Sequence, residues 1–235
     1  HFPYFESDHV LNIAYNALSG GRCLEDLELK RNDEAYLNLI GATRIPDPTT
    51  AGDFCRRFQS KADIDALHDA IDDARRIVWA RQPREFFERA IVDMDGHTVE
   101  TTGECKAGMD INYEGRWGYH PLLVTLANTG EVLYLANRPG NRPSHEGADA
   151  YLSDALDLVR RAGFRKVVLR GDTDFPQTHM LDEWSDLPNV RFVFGFDAKS
   201  GEPAWASELP GAGAAIGGQL VVVPGFGGAD AYLAR

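Results

Sequence analysis

The stretch AIVDMD at residues 90–95 marks the point where the hydrophobic periodicity of the sequence changes from helical to extended. Its apolar residues predict a strand, and this strand ends in the acidic residues Asp93 and Asp95. The turn sequence Asn-Thr-Gly at 128–130 lies between two further apolar runs and predicts a hairpin. The elements predicted from residue 90 onward are strands over 90–95, 122–127 and 132–136, a helix from Ala148 to Val159 closed by Gly163, a strand over 166–170, a helix from Pro176 to Trp184, and a strand over 190–196.

This order of elements predicts the fold. Three strands in a meander followed by alternating helix and strand are typical of a ribonuclease-H-like mixed sheet, an α/β core in a chain that is α+β overall. In that arrangement the fourth strand lies parallel to the first and is reached by a crossover through the helix. The carboxyl ends of these two strands are then neighbours, and in this sequence they carry Asp95 and Asp172.

The residues before this core have a helical pattern from about residue 6 to residue 88. Asn32 is predicted to cap a second helix, and the turn at 46–50 is predicted to cap a third. A longer helix is predicted over 63–81. The first helix carries the apolar residues Val10, Leu11, Ala14 and Leu18, and the apolar face of the long helix is Ile64, Leu67, Ile71, Ala74 and Val78.

Three regions follow from these patterns. Residues 1–89 are predicted to form a small all-helical domain, and residues 90–197 an incomplete ribonuclease-H-like core. Residues 198–235 form a tail in which 17 of 38 residues are Gly or Ala, and its one predicted element covers Gln219 to Val223. Such a composition is poorly suited to packing a core.

Charge and composition exclude several classes of protein. The 36 acidic residues against 24 basic ones give a net charge of −12, which excludes a surface that is positive all over but allows a local basic groove. The cysteines Cys23, Cys55 and Cys105 form no CxxC pair, so neither a disulfide framework nor a zinc finger is expected, and a cytoplasmic location fits best. No run reaches the ~18 apolar residues of a membrane span, so no membrane partner is expected.

The acidic residues at the two strand ends suggest a metal site. Carboxylate oxygens suit Mg²⁺ or Mn²⁺, and two such ions can activate an attacking oxygen and stabilise a leaving one in phosphoryl transfer. Asp93 and Asp95 lie two apart on one strand and therefore face the same side of the sheet, and Asp172 and Asp174 have the same spacing. The simpler interpretation is that these acids only cap turns and the following helices.

A phosphatase is a second interpretation of the same segment. DMDG after an apolar strand also resembles the first motif of haloacid-dehalogenase-type phosphatases, with Asp93 as nucleophile and Asp95 as general acid/base. Three features disfavour it: His97 stands where that motif has Thr, no lysine lies between Lys106 and Lys166, and a meander follows instead of helices with a parallel sheet.

Longer motifs carry a more specific resemblance. The stretches ESDHVLNIAYNALSGGRCLEDLELKRND (6–33), RIPDPTTAGDFCRRF (44–58), DMDGHTVETTGECKAGMDINYEGRWGYHP (93–121) and RGDTDF (170–175) resemble a DDE transposase of a bacterial insertion sequence. The resemblance extends from about residue 4 to about residue 197. The branch it resembles couples ESDHVLN and PDPTT motifs to a ribonuclease-H-like core.

The resemblance implies a function. The family cuts DNA at the terminal inverted repeats of its element and joins the freed ends to a target, using Mg²⁺ or Mn²⁺. It implies Asp95 as the first catalytic acid and metal ligand, with Asp93 as the alternate, and Asp172 as the second. Terminal inverted-repeat DNA is the expected partner, and a second copy of the chain is another.

The differences between this sequence and the family pattern predict a transposase without cleavage activity. The third family acid, a Glu on a later helix, has no counterpart, because Glu202 and Glu208 lie in the Gly- and Ala-rich tail. His1 in place of Met suggests a fragment. The bias of the tail towards Gly, Ala and Pro suggests a shifted reading frame of GC-rich DNA, which translation of the neighbouring frames would test. We expect such a chain to lack cleavage activity, and a DNA-binding remnant without catalysis is the alternative.

The loop before the helix predicted from Ala148 to Val159 contains two candidate DNA-binding residues. Arg138 and Arg142 are candidate DNA-binding residues because a guanidinium can pair with phosphate, although solvated loop arginines are the commoner case. His120, beside Pro121, is interpreted as structural.

Overall fold

The computed structural model describes residues 4–102, 106–171 and 180–194, together with the strand segments 205–206, 220–225 and 228–233. The predicted acids Asp172 and Asp174 and the predicted helix start at Pro176 lie outside the described residues. The chain divides into two compact units, His1–Ala70 and Ile71–Arg235. Within the described part of the chain, no helix is long and apolar enough to cross a membrane.

The first unit is helical, as predicted. Asp47 caps one of its helices, because its carboxylate accepts a hydrogen bond from the Thr50 amide at 3.0 Å and Pro48 follows at the first helical position. Asn32 is not the cap of the second predicted helix. Asp33 has that role and accepts from the amides of Ala35 and Tyr36. The helices are α1 (Glu6–Leu18), α2 (Leu27–Arg31), α3 (Glu34–Leu39), α4 (Pro48–Cys55) and α5 (Lys61–Trp79), and 3₁₀ turns cover Leu24–Asp26 and Arg84–Phe87.

The buried face of α1 is polar, and the apolar residues of this helix lie outside that face. Val10, Leu11, Ala14 and Leu18 are exposed. His9, Asn12 and Asn16 are buried in their place. Asn12 donates from its side-chain amide to the Pro46 carbonyl at 3.2 Å, Asn16 donates to the Cys23 carbonyl at 2.9 Å, and the His9 ring stacks on Phe54 at 4.5 Å. These contacts join α1 to the loops at Cys23 and Pro46 and to α4.

The second unit is built on a mixed sheet with the predicted topology. Among the described residues the strand order is β6-β5-β1-β7-β8-β9, in which β1 pairs antiparallel with β5 and parallel with β7. This is the ribonuclease-H-like arrangement, and it confirms the predicted fold class. The elements are β1 (Ala90–Gly96), β2 (Val99–Glu100), β3 (Asp110–Ile111), β4 (Trp117–Tyr119), β5 (Leu122–Leu126), β6 (Glu131–Ala136), α6 (Ala148–Ala162), β7 (Val167–Gly171), α7 (Leu181–Asp186), β8 (Val190–Phe194), β9 (Trp205–Ala206), β10 (Leu220–Gly225) and β11 (Gly228–Leu233).

The core lies between α6 and one face of this sheet. Alternate residues of the strands point to that face, so Val92, Met94 and Val124 are buried beneath the helix. The predicted apolar face of α6 is confirmed, and Gly163 ends the helix in the left-handed conformation at φ 101°. The residues of α6 that fill the core are Ala148, Leu152, Ala155, Leu156, Leu158 and Val159.

The second half of α5 packs through charged groups, so the apolar face predicted for this helix was wrong. Ile71, Ala74 and Val78 are exposed, and Ile64 and Leu67 are only partly buried. Asp72, Arg75 and Trp79 are the buried residues of the helix. Arg75 donates to the Glu131 carboxylate at 2.6 Å and to the Val132 carbonyl at 2.8 Å, and these contacts join the helix to β6.

Two small sheets were not predicted. Short strands β2, β4 and β3 form a three-stranded sheet between β1 and β5 in the chain, and β10 pairs with β11 in a hairpin. The hairpin includes the predicted strand at Gln219–Val223 and adds a second strand to the tail. Glycines open the space for close strand approach, since a Cβ at Gly118 would lie 2.2 Å from the Val99 carbonyl oxygen.

Candidate active site at the ends of two central strands

The ends of β1 and β7 are neighbours, as the topology predicted. Met94 pairs with Gly171 in the parallel ladder. Asp95 is the next residue after Met94, and Asp172 is the next residue after Gly171 in the sequence. The position of Asp172 itself lies outside the described residues, so the structure describes this site from the β1 side.

Asp93 is engaged in an ion pair across the two strands. It lies directly opposite Arg170 in the β1–β7 register. The Arg170 Nε donates to Asp93 Oδ1 at 2.6 Å, and a second guanidinium nitrogen contacts Oδ2. The Asp93 side chain is 28% exposed and the Arg170 side chain is 34% exposed, so the pair is partly shielded from solvent. A two-point contact of this kind occupies both carboxylate oxygens.

Asp95 has the opposite environment on the same face of the same strand. Its side chain is exposed at the carboxyl end of β1. Among the described residues, its carboxylate has no hydrogen-bond or ion-pair partner. Its oxygens are therefore open to a ligand from solvent.

These two environments differ in how well they suit a divalent metal. Mg²⁺ and Mn²⁺ prefer carboxylate oxygens with free lone pairs and are commonly held by only one or two carboxylates. Asp95 fits this chemistry, whereas Asp93 would first have to give up Arg170. No group of three or more His, Cys, Asp or Glu side chains that could hold a metal occurs among the described residues.

Arg170 is the functional residue that the sequence analysis missed. Its motif, RGDTDF, drew attention to the acids that follow it. The signal was nevertheless present, because the predicted parallel pairing of the first and fourth strands brings an arginine of one near an acid of the other. Only the register shows that the partner is Asp93 and not Asp95.

The turn after Asp95 is held by backbone contacts with Pro121 and with the first residue of β5. Gly96 pairs with Leu122, and the His97 amide donates to the Pro121 carbonyl at 3.1 Å. His120 is buried beside this turn, with 9% of its surface exposed. The segment therefore fixes the backbone on the carboxyl side of Asp95.

The two candidate DNA-binding arginines have different environments. Arg138 is half-buried, and burial lowers its pKa. It donates to the carbonyls of His120, Pro143, Ser144 and Glu146, so its guanidinium holds the 137–147 loop together. Arg142 is exposed on that loop and pairs with Glu146 at 3.1 Å.

Several solved structures are similar to this one at low sequence identity. The piggyBac transposase in a synaptic complex with hairpin DNA is 12% identical, with a TM-score of 0.39 over 82% of this chain and 41% of that chain. The Drosophila P element transposase in a strand transfer complex is 16% identical, with a TM-score of 0.36 over 81% of this chain and 37% of that chain. The chain thus spans about two fifths of the length of these two proteins.

Sequence comparison gives the family. No curated protein matches the chain. The model of the transposase DDE domain, group 1, matches residues 5–202, which include helices α1 to α5 and strands β1 to β8. The chain therefore belongs to the transposase DDE domain family, group 1, a family of DNA transposition.

Proposed function

We propose that the chain derives from the metal-dependent nuclease and strand transferase of a bacterial insertion sequence, and that these 235 residues bind DNA without cleaving it because they carry two of the three family acids. The observation that carries the proposal is the exposed Asp95 carboxylate, which has no partner among the residues that the structure describes, on a strand whose pairing with β7 ends one residue before Asp172. Membership of the transposase DDE domain family makes phosphoryl transfer on DNA the reaction that such a pair of acids serves.

In this proposal Asp95 and Asp172 are the catalytic acids and hold Mg²⁺ or Mn²⁺. The bound metal supplies a more acidic attacking hydroxyl and charge stabilisation for the leaving oxygen. Asp93 and Arg170 neutralise each other beside Asp95. This pairing removes one negative charge from the surface that a DNA phosphate has to approach.

The phosphatase interpretation fits the structure less well. After β1, the next strands of the main sheet along the chain are β5 and β6, which run antiparallel to their neighbours, whereas that fold continues with helices and a parallel sheet. Asp93, which would be the nucleophile, has both carboxylate oxygens engaged by Arg170. A nucleophile needs a free oxygen facing its substrate.

DNA is the proposed partner, and the terminal inverted repeats of the element are its proposed site. Arg142 is the better candidate for a phosphate contact, since it is exposed and forms a surface ion pair with Glu146. Arg138, with four carbonyl partners, supports the loop that presents it. A second copy of the chain is a further proposed partner. A bacterial DNA substrate would place the protein in the cytoplasm.

DNA binding tests this function directly. We would measure fluorescence anisotropy of duplexes copied from the two sequences flanking the coding region, against a scrambled duplex, at increasing NaCl concentration. We expect tighter binding to the flanking sequences and an affinity that falls with salt. Arg142→Ala should weaken binding to all duplexes about equally, and Arg165→Ala, another exposed arginine paired to a carboxylate, should leave binding unchanged.

Assays of DNA cleavage and of phosphatase activity give the results that would contradict the proposal. The 235 residues contain two of the three family acids, so we expect binding without Mg²⁺-dependent cleavage, and cleavage would show that the third acid is dispensable or supplied elsewhere. Equal affinity for flanking and scrambled DNA, together with p-nitrophenyl phosphate hydrolysis that Asp93→Asn abolishes, would establish the phosphatase instead.

A further inference from the structure

We propose that His120 is a positioning residue for this site, and that its ring sets the turn that directs the Asp95 carboxylate. The proposal rests on the function proposed above, because it assigns Asp95 to metal binding. His120 lies between β4 and β5, at the end of the sheet where β1 finishes. Its side chain is buried although histidine is polar, so its place in the fold needs a reason.

The reason lies in its contact with Gly96, the residue after Asp95. A Cβ at Gly96 would lie 2.3 Å from His120 Nε2, 3.0 Å from Cε1 and 3.2 Å from Cδ2. Gly96 does not belong to the glycines with positive φ, so its backbone conformation is open to any residue. A side chain at this position would therefore meet the histidine ring, which lies against the backbone of the turn, and either the ring or the turn would have to shift.

The ring is held on both sides. His120 Nδ1 faces the Thr98 hydroxyl and Nε2 faces the Ser144 hydroxyl, each at 3.4 Å. Thr98 belongs to the turn after Asp95, whereas Ser144 belongs to the 137–147 loop. The ring thus connects the turn that follows the proposed metal ligand to the loop that carries Arg142.

The backbone of His120 is held by the same loop. Its amide donates to the Arg138 carbonyl at 2.9 Å, and the Arg138 Nε donates back to the His120 carbonyl at 3.0 Å. Pro121 then accepts from the His97 amide. His120 therefore acts on Asp95 through Gly96 and His97, with the Arg138 loop as its support.

A pair of compensating substitutions tests this role. Gly96→Ala adds the methyl group that the ring excludes, and His120→Asn removes Nε2 and Cε1 while keeping a polar side chain near Thr98. The first readout is hydrogen exchange of the His97 amide, and the second is Mn²⁺-induced broadening of the backbone NMR signals of residues 94–98. His145→Ala, an exposed histidine of the same loop, is the matched control.

We expect Gly96→Ala to speed exchange at His97 and to weaken the Mn²⁺ response about 10- to 100-fold, the usual cost of losing a residue that orients a metal ligand. Gly96→Ala/His120→Asn should recover most of both losses, and His145→Ala should match the wild type. Wild-type behaviour of Gly96→Ala would overturn the proposal. So would a double variant that is as impaired, or as poorly folded, as Gly96→Ala alone, because the clash would then not involve the ring.

The two readouts separate this proposal from the function on which it rests. If Asp95→Asn leaves the Mn²⁺ response of the wild type unchanged, the metal assignment of Asp95 is wrong. The exchange rate of the His97 amide then still reports whether the His120 ring holds the turn.

Discussion

At one end of the central sheet the acidic side chains are shielded and paired, whereas at the other end Asp95 is exposed and has no partner among the described residues. Asp72 is buried against Arg75 and accepts a hydrogen bond from the Tyr134 hydroxyl at 2.6 Å. Glu131 accepts from Arg75 and from the Trp79 indole nitrogen. We call these five residues the α5–β6 network.

The difference separates acids that stabilise the fold from an acid that is available for chemistry. A buried carboxylate costs several kcal/mol unless cations and donors surround it, so the α5–β6 network has to be complete. Asp95 costs the fold little because water solvates it. Asp93 lies between these cases, since it shares the face of Asp95 but has Arg170 as a partner.

Removing the cation of the α5–β6 network should give the largest effect. Arg75→Ala leaves Asp72 buried without its ion-pair partner and takes one donor from Glu131, which should lower the free energy of unfolding by about 3–5 kcal/mol. Urea denaturation measures the change. Arg76→Ala removes a neighbouring exposed arginine paired with Asp73 and should cost less than about 1 kcal/mol. Similar losses of unfolding free energy for the two variants would show that the buried network stabilises the fold no more than an exposed ion pair.

Removing the hydroxyl of the network should have a smaller effect. Tyr134→Phe takes a hydrogen bond from the buried Asp72 carboxylate, which should cost about 2 kcal/mol of unfolding free energy. Tyr113→Phe is the matched control, because the Tyr113 side chain is 91% exposed, and it should not change stability.

The same hydroxyl gives a pH dependence. Burial and the hydrogen bond to Asp72 raise the pKa of Tyr134 above its ordinary value. The folded state therefore favours the protonated phenol, whose stabilisation is fully present below about pH 10 and is lost as the pH rises beyond that. Urea titrations from pH 8 to pH 11 should show a steeper loss for the wild type than for Tyr134→Phe, and parallel curves would contradict the assignment.

The smallest effect on stability is expected at the partly exposed pair. Asp93→Asn weakens the contact to Arg170, and because solvent screens about a third of the pair, the cost should be about 1 kcal/mol. Glu88→Gln, which weakens the exposed pair with Arg165, provides the comparison and should leave the unfolding midpoint unchanged. If Asp93→Asn matched Glu88→Gln, the cross-strand pair would be only a surface contact.

The sheet could be predicted from the sequence because its strands have one apolar face. Residues 90–95 alternate in burial along β1, and α6 has its core residues at helical spacing. The parallel pairing of β1 and β7, and with it the neighbouring strand ends, followed from the order of elements alone.

The packing faces of α1 and α5 could not be predicted because they are polar. Hydrophobic periodicity finds apolar faces, but His9, Asn12 and Asn16 are buried through hydrogen bonds and ring stacking. Asp72 and Arg75 are buried through partners about 60 residues away in the chain, which no local pattern reveals.

The candidate metal site could also be predicted only in part from the sequence. Sequence spacing placed Asp93 and Asp95 on one face and left both as candidate metal ligands. The structure distinguishes the two acids by the contact of Asp93 with Arg170, and that contact depends on the strand register. His120 was interpreted as structural, and the steric reason for its position emerged only from the backbone of Gly96.

The most direct test of the difference between these acids compares Asp95→Asn with Asp93→Asn in one Mn²⁺ titration, followed by broadening of the backbone NMR signals of residues 94–98. Asp95→Asn should unfold at the same urea concentration as the wild type and lose the Mn²⁺ response. Asp93→Asn should unfold more easily and keep that response. The reverse pattern, with the Mn²⁺ response lost in Asp93→Asn and kept in Asp95→Asn, would contradict the assignment of Asp95 as the metal-binding acid.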